Sequence, residues 1–197
     1  VGAAWNISNE NFLTDSNIVD DLKLRASFGQ TGNNGIGNNQ YQSLFGYGGA
    51  YDNNGAVAPS TFGNLIISWE TAELLDVGVD FSLFDGRLSG GVTYYEKTTE
   101  DLLQSVPLSR TTGHTSQTMN IGSILNKGVE VEIDAQILRT KDFSFEIYGN
   151  FSENNDEVLR LAQDAAGNDI NLDSGYYTTR VGLPRAQWYI RTWGGVD

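Results

Sequence analysis

The sequence contains no cysteine, and this absence excludes a whole group of chemistries. Disulfide bridges, zinc–thiolate centres, iron–sulfur clusters and cysteine nucleophiles all need a thiol. Proline and methionine are also rare, with 3 and 1 among 197 residues. No apolar run approaches the roughly 18 residues that a membrane-spanning helix requires. The sequence does not exclude β-strands that span a membrane, because such a strand needs only about 9–11 residues of alternating polarity.

Positively charged residues are also scarce. Lys and Arg together number 12 against 25 Asp and Glu, so the formal net charge is −13 and the isoelectric point is near 4.3. Phosphate backbones and anionic lipid surfaces both attract basic patches, so this balance argues against a nucleic-acid partner and against docking on an anionic membrane surface. The N-terminal residues have neither a basic nor an apolar segment, and we expect no signal peptide in this sequence.

The dominant pattern along the chain has a period of two residues. In the segment from Leu75 to Leu83, for example, every odd-numbered residue is apolar, whereas the even-numbered ones are Asp76, Gly78, Asp80 and Ser82. A helix would scatter such residues around its axis, while a pleated strand separates them onto two faces. The same alternation marks further segments at 21–29, 88–95, 129–137 and 143–152. Several of these predicted strands are longer than the usual 5–6 residues of soluble domains.

The links between these segments alternate between short and long from Gly29 to Asn154. The short ones are 84–87, which contains the hairpin signal Asp85-Gly86, and 139–142. The long ones are polar stretches at 31–68, 99–123 and 154–179, and the residues 154–162 could form one or two helical turns. In an up-and-down sheet this places tight turns at one end and long loops at the other, as in outer-membrane barrels.

Several segments carry a resemblance to one family. The run LKLRASFGQTGNNGIGN at 22–38 resembles a stretch typical of SusC/RagA-type TonB-dependent outer-membrane transporters. Further similar segments follow the family's order, and they are AAWNISNENFL at 3–13, SWETAELLDVGVDFSLFDGRLSGGVTYYEKTTEDLL at 68–103, NIGSILNKGVEVEID at 120–134 and NFSENNDEVLRL at 150–161. The segment VGLPRAQWY at 181–189 resembles the family's Val-Gly-x-Pro segment less closely. The resemblance covers nearly the whole chain.

The resemblance implies an all-β fold, in which residues 1–197 form about seven antiparallel strands of a larger transmembrane β-barrel with short periplasmic turns and long external loops. It implies that the plug domain and its TonB-contact segment lie outside this sequence. The implied function is import of oligosaccharides or peptides across the outer membrane of a Gram-negative bacterium. The implied partners are a SusD-like surface lipoprotein, TonB acting through the plug, and the lipid bilayer.

Alternation alone does not separate a lipid-facing strand from a strand of a soluble sandwich, because both have one polar face. The alternative prediction is therefore a secreted β-sandwich that serves as a carbohydrate-binding module. An all-β hydrolase would need a positioned pair of carboxyl groups. We find no such pair, and we predict that the chain is not an enzyme and has no catalytic, cofactor-binding or metal-binding residue; its substrate-binding residues are not identified by the sequence.

Acidic residues are the most prominent candidate chemistry. Glu130, Glu132 and Asp134 share one face of a predicted strand, and Asp76 and Asp80 share a face of another. They could form an acid–base pair or a cation site. The favoured interpretation is a hydrated wall of a wide barrel, because alternate side chains on one strand are about 7 Å apart and meet water.

Four shorter motifs are weaker candidates. His114 is the single histidine, and one histidine cannot build a two-histidine metal site. The glycines at 46–49 lack the strand-to-helix context of a phosphate cradle. The Asp52-Asn53-Asn54-Gly55 cluster resembles the start of a calcium loop but has no glutamate at its twelfth position, so it predicts a turn. Two glycosylation sequons, at 6–8 and 150–152, match by pattern alone.

The aromatic residues fall into two groups. One group lies in the predicted loops and could stack on sugar rings, and it comprises Tyr41, Tyr47, Tyr51, Tyr176 and Tyr177. The other lies at the predicted strand ends and fits an interfacial aromatic girdle, and it comprises Trp69, Phe84, Tyr94 and Phe143.

Overall fold

The computed structural model describes residues 1–13, 16–52, 54–164 and 166–195, and nearly all of their regular structure is β-strand. The strands are β1 (Gly2–Asn6), β2 (Val19–Asn33), β3 (Leu44–Tyr51), β4 (Asn54–Thr61), β5 (Glu70–Leu83), β6 (Leu88–Pro107), β7 (Ser116–Arg139), β8 (Ser144–Arg160), β9 (Leu172–Ser174), β10 (Tyr177–Thr179) and β11 (Gln187–Trp188). Two 3-10 turns occupy Ile7–Asn9 and Arg110–Thr112. No helix in these described ranges is long and apolar enough to cross a membrane.

The main sheet has six strands in the order β1-β2-β5-β6-β7-β8. The hairpin β3–β4 forms a sheet of its own, and the order β11-β10-β9 forms a third. The expectation of an all-β antiparallel meander is confirmed, with six strands in the main sheet of the described residues where about seven were expected. Strands β6 and β7 contain 20 and 24 residues, far beyond the usual strand length.

The tight links lie where the sequence predicts them. Phe84, Asp85 and Gly86 have φ angles of 60°, 56° and 72°, a left-handed conformation that glycine and aspartate tolerate better than most residues. The second short link is closed by a hydrogen bond from the Thr140 backbone N–H to the Phe143 carbonyl oxygen, at 2.8 Å. Both links connect strands that are neighbours in the sheet.

Three predicted loop regions contain more strand than the sequence indicates. The stretch 31–68 includes the β3–β4 hairpin, and 99–123 is mostly the continuation of β6 and the start of β7, which leaves a loop at 108–115. The predicted helical turns at 154–162 are wrong, because β8 continues to Arg160. The β8 backbone is held extended at Val158, whose N–H bonds to the Leu183 carbonyl oxygen at 3.0 Å.

The chain divides into two compact units. Unit one comprises 1–30, 73–98 and 125–156, and unit two comprises 31–72, 99–124 and 157–197. Unit two holds all four buried hydrophobic residues of the described ranges, which are Val106, Val158, Leu161 and Ala162. Unit one therefore has an architecture in which apolar side chains do not meet one another in a dry interior.

Candidate functional site

The polar face of unit one is formed by alternate residues of β2, β5, β6, β7 and β8. It carries all five acidic candidates identified in the sequence. The positions that matter for its geometry are Arg25, Asp76, Gly78, Asp80, Thr93, Tyr95, Gly128, Glu130, Glu132, Asp134 and Asn154. Because side chains alternate along a strand, this face is opposite to the one that carries Leu75, Val92 and Val129.

Arg25 ties three strands together across this face. Its Nη1 lies 2.8 Å from Asp76 Oδ1 and its Nε lies 3.4 Å from Asp80 Oδ1, both on β5. Its Nη2 donates to the hydroxyl of Thr93 on β6. A Cβ atom added at Gly78 would lie 2.7 Å from the Arg25 guanidinium carbon, so the missing side chain leaves the slot that the guanidinium fills.

This arginine is the functional residue that sequence reasoning missed. Asp76 and Asp80 were candidates for acid–base or cation chemistry, and the structure places them against a guanidinium instead. The alternation of polar and apolar residues already places Arg25 on the polar face of its own strand. The sequence does not reveal that β2 and β5 are neighbours in the sheet, and without this pairing the contact between Arg25 and the two aspartates cannot be predicted.

Tyr95 makes a second link across strands. Its hydroxyl donates to Asn154 Oδ1 on β8, at 2.9 Å, and its ring passes over β7 at Gly128. A Cβ atom at Gly128 would lie 2.7 Å from the Tyr95 hydroxyl oxygen and 2.2 Å from the Glu153 carbonyl oxygen. Glycine at this position thus allows both the crossing of the ring and the close approach of β7 and β8.

Two of the open depressions on unit one include acidic candidates. One has a volume of about 290 Å³ and is bounded by Arg25, Asp80, Thr93, Glu130 and Glu132 among others. The other, of about 400 Å³, includes Glu132, Asp134 and Asn150. Within the described ranges, no group of three or more His, Cys, Asp or Glu side chains is arranged to hold a metal ion. The chemistry available here is hydrogen bonding and charge toward water or polar solutes.

The remaining candidates are dispersed. His114 lies in the loop between β6 and β7, where its ring is tilted against Phe62 with centroids 5.0 Å apart. The glycines at 46–49 lie inside β3, and Asn150 of the second sequon lies inside β8. Asp52 and Asn54 flank the β3–β4 turn, whereas Asn53 lies outside the described residues. The structure does not bring these residues together.

The loop aromatics take several positions. Tyr41 lies in a turn, Tyr47 lies in β3 and is 94% exposed, and Tyr176 lies just before β10 and is exposed. Tyr177 lies within β10 and packs against Trp188 of β11, with ring centroids 4.6 Å apart and ring planes tilted by 39°. The side chain of the fifth, Tyr51, is not among those described.

Three of the four predicted girdle residues flank strands. Trp69 directly precedes β5, Phe84 directly follows it, and Phe143 directly precedes β8. Tyr94 is an exception, because β6 continues for 13 residues beyond it, to Pro107.

Asp164 organises a short loop of unit two. Its Oδ1 accepts hydrogen bonds from the backbone N–H groups of Ala166 and Asn168, at 2.8 and 2.9 Å. These bonds, above all the one from the Asn168 backbone, hold the pKa of the Asp164 carboxyl below its usual value. Since the pKa is lower in the folded loop, the bonds stabilise the loop fully above the unfolded pKa. This stabilisation is lost as the pH falls through the folded pKa.

We expect Asp164→Ala to open this loop at pH 7, and acid below the folded pKa to open it in the unchanged protein. Hydrogen exchange at the Asn168 amide, expressed relative to the unstructured-peptide rate, measures the opening in the full-length protein. Asp142→Ala is the matched control, because no hydrogen bond to the Asp142 carboxylate occurs among the described residues. Unchanged protection at pH 7 in Asp164→Ala would show that the carboxylate does not hold the loop.

Comparison with known proteins gives consistent matches. The family described as TonB dependent receptor-like, beta-barrel, matches residues 1–197. TonB-dependent receptor P3 of Formosa agariphila is 39% identical over 183 residues, which cover 90% of this chain and 18% of that protein. TonB-dependent receptor SusC of Bacteroides thetaiotaomicron is 37% identical over 185 residues, which cover 88% of this chain and 17% of that protein. The chain thus spans less than a fifth of the length of these relatives.

Solved structures match over the same extent. The RagAB peptide transporter superposes with a TM-score of 0.88 at 32% identity, covering 100% of this chain and 21% of that chain. The RagAB peptide importer in its open-open state superposes with a TM-score of 0.81 at 32% identity, covering 93% of this chain and 20% of that one.

Proposed function

The chain belongs to the TonB-dependent receptor-like β-barrel family, and from this premise we propose that it forms part of the wall and external loops of an outer-membrane nutrient importer. The observation that carries the proposal is the two-sided character of the sheet in unit one. One face is acidic and hydrogen-bonded through Arg25 and Tyr95, and the other exposes apolar side chains. A transmembrane barrel needs this division between a wet lumen and a lipid-facing exterior.

The proposed partners follow from the relatives. In the parent protein, a SusD-like surface lipoprotein covers the barrel, and TonB supplies energy by acting on a plug domain encoded outside this sequence. The likeness to SusC and to the RagAB transporter supports both partners. The proposed location is the outer membrane of a Gram-negative bacterium.

The substrate class has two candidates, oligosaccharides and peptides. The resemblance to the SusC/RagA family favours both, and the likeness to a protein described as a peptide transporter supports the second. Exposed aromatic rings, such as those of Tyr47 and of the neighbouring pair Tyr177 and Trp188, offer flat surfaces suited to sugar rings. The proposed contribution of this stretch is strand pairing, a hydrated acidic wall and loop surface that faces the lipoprotein.

The soluble β-sandwich fits the structure poorly. A sandwich buries the apolar face of each sheet against a second sheet, about 10 Å away. In unit one, by contrast, Leu24, Phe28, Ile133, Ile147 and Phe151 are between 36% and 59% exposed. We therefore retain the importer as the proposed function.

Deleting the β3–β4 hairpin in the full-length protein tests the proposal. Residues 44–61 form a sheet separate from the six-stranded one, so we expect the barrel to fold without them. Growth on oligosaccharide or peptide mixtures as the sole carbon source should fall several-fold, and co-purification of the lipoprotein should weaken. A heat-modifiable gel band controls for folding. Unchanged growth and unchanged lipoprotein binding would contradict the role assigned to these loops.

A further inference from the structure

Three pairs of adjacent residues in the sequence are able to form a cyclic imide. They are Asn34-Gly35, Asn54-Gly55 and Asp85-Gly86, each an Asn or Asp directly before a glycine. The backbone nitrogen of the glycine can attack the side-chain carbonyl carbon of the preceding residue, because glycine has no Cβ atom to hinder the approach or to restrict the backbone. The structure places the three pairs in different environments, so their rates of reaction should differ.

The pair Asn34-Gly35 lies directly after β2, in irregular chain that is exposed to solvent. The Asn34 carbonyl oxygen accepts a hydrogen bond from the Ile36 backbone N–H at 2.6 Å, so the chain turns tightly at Gly35. Within the part of the chain that the structure describes, neither the Asn34 carboxamide nor the Gly35 N–H has a hydrogen-bond partner. Both reacting groups are therefore free to approach each other without breaking a bond.

The pair Asn54-Gly55 is constrained by the β3–β4 hairpin. Both residues belong to β4, and Gly55 lies opposite Ala50 on β3. The Asn54 carboxamide also donates from Nδ2 to the Asp52 carbonyl oxygen at 3.1 Å. Attack by the Gly55 nitrogen requires the Asn54 side chain to leave this bond and its backbone to leave the extended conformation. The reaction is thus coupled to opening of the hairpin end, which folding opposes.

The pair Asp85-Gly86 is constrained at the attacking nitrogen itself. The Gly86 backbone N–H donates to Asp20 Oδ2 at 2.9 Å. The backbone is fixed by the tight turn between β5 and β6, in which Asp85 and Gly86 have φ angles of 56° and 72°. The Gly86 nitrogen must lose its hydrogen bond before it can reach the Asp85 carboxyl carbon. Folding should therefore slow this pair as well.

We propose that Asn34 is a site of spontaneous deamidation in the folded protein. The Gly35 nitrogen forms a bond to Asn34 Cγ and gives up its proton, while the bond from Cγ to Nδ2 breaks and ammonia leaves. A five-membered succinimide remains, and water then adds to either of its two carbonyl carbons. The product is aspartate or isoaspartate at position 34. No other reactant is needed, because the attacking and attacked atoms are held close together in adjacent residues.

The modification changes the charge and the course of the chain at one end of β2. A neutral carboxamide becomes a carboxylate, which adds one negative charge to a formal net charge of −13. The isoaspartate form also has one extra carbon in its backbone. Since β2 ends at Asn33, whose Nδ2 donates to Glu70 Oε2 at 2.9 Å, we expect the strand to persist and only the segment after it to be redirected. This inference does not depend on the proposed function.

Peptide mass spectrometry of the full-length protein in detergent tests the proposal. The protein is incubated at mildly alkaline pH, either folded or unfolded in guanidinium chloride, and digested after increasing times. The mass increase that accompanies exchange of an amide NH2 for a hydroxyl reports deamidation at positions 34 and 54. Methylation by an isoaspartyl methyltransferase reports isoaspartate at positions 34, 54 and 85.

We expect position 34 to react at about the same rate in the folded and the unfolded protein. Positions 54 and 85 should react several-fold more slowly in the folded protein than in the unfolded one. These two positions are internal controls, because the same sample and the same digest report all three. A rate at position 34 that folding reduces as strongly as the rate at position 54 would overturn the proposal.

Gly35→Ala is the matched variant, because it keeps Asn34 and hinders only the attacking nitrogen. The nearest atoms to a Cβ atom at this position would belong to the Asn33 side chain, at 3.5 Å, so the fold should be unaffected. A heat-modifiable gel band checks this. We expect deamidation at position 34 to slow several-fold in Gly35→Ala. Equal rates in Gly35→Ala and in the unchanged protein would show that the Gly35 nitrogen is not the attacking group.

Discussion

Replacing Gly128 with alanine is expected to weaken the pairing of β7 and β8 and to lower the stability of the full-length protein by roughly 1–3 kcal/mol, the usual range for overpacking at a tight site. The added Cβ atom would lie 2.2 Å from the Glu153 carbonyl oxygen and 2.7 Å from the Tyr95 hydroxyl oxygen. The backbone contact admits no rotamer change as relief, because the carbonyl belongs to the neighbouring strand. The urea concentration at half-unfolding in detergent measures the loss.

Gly149→Ala is the control for this prediction. Gly149 lies on β8, in the same unit, and a Cβ atom there would meet no other atom within 4 Å. We expect its unfolding midpoint to equal that of the unchanged protein. Tyr95→Phe separates the two contacts, because it removes only the hydroxyl and should cost about 1 kcal/mol for one hydrogen bond. Equal midpoints for Gly128→Ala and Gly149→Ala would show that the close approach is not needed.

Replacing Arg25 with alanine is the second change with a large expected effect. Asp76 and Asp80 would lose the cation that lies between them, and their carboxylates would repel each other while Thr93 lost its donor. The Arg25 side chain is 36% exposed, so water screens part of this cost. We expect a loss of about 1–2 kcal/mol in the free energy of unfolding, larger at low than at high salt.

The Arg25 prediction has a control and a rescue. Lys23→Ala removes a positive charge from the same strand and face, and Lys23 has no ion pair with the described part of β5, so little change is expected. Adding Asp76→Asn and Asp80→Asn to Arg25→Ala should restore much of the stability, because the repulsion is then removed. An Arg25→Ala variant as stable as Lys23→Ala would show that the contacts of Arg25 with Asp76, Asp80 and Thr93 do not stabilise the sheet.

The sequence predicts the strands of unit one well where one face of the strand is polar and the other is apolar. From Leu75 to Leu83 the alternation is complete, and β5 is a strand through that whole stretch. Prediction fails where both faces of a strand are polar. Beyond Tyr94 the run Glu96-Lys97-Thr98-Thr99-Glu100 is polar at every position, so period-two analysis ends the strand although β6 continues to Pro107.

The incorrect helix at 154–162 has a related cause. Asn154 resembles a helix cap, and Val158 and Leu161 have the three-residue spacing of a helical face. Both side chains are buried in unit two, but on an extended chain whose backbone bonds to the segment around Leu183. Such a partner is more than twenty residues away in sequence, so local periodicity does not reveal it. The contacts of Arg25 with Asp76 and Asp80 were not predicted for the same reason, because the β3–β4 hairpin separates β2 and β5 in sequence.

The described residues of unit one include no buried hydrophobic side chain, and this has a consequence for how its sequence can vary. The interior of a soluble domain is closely packed, so exchanges among Leu, Ile, Val and Phe that change side-chain shape lower its stability. In the outer-membrane location that we propose, the apolar side chains of unit one face lipid, which adapts to their shape, so such exchanges should change stability little. The positions least tolerant of substitution are instead on the polar face, where Arg25, Gly78 and Gly128 lie in close contact with their neighbours. Mutational tolerance in this wall is therefore the reverse of that in a globular protein.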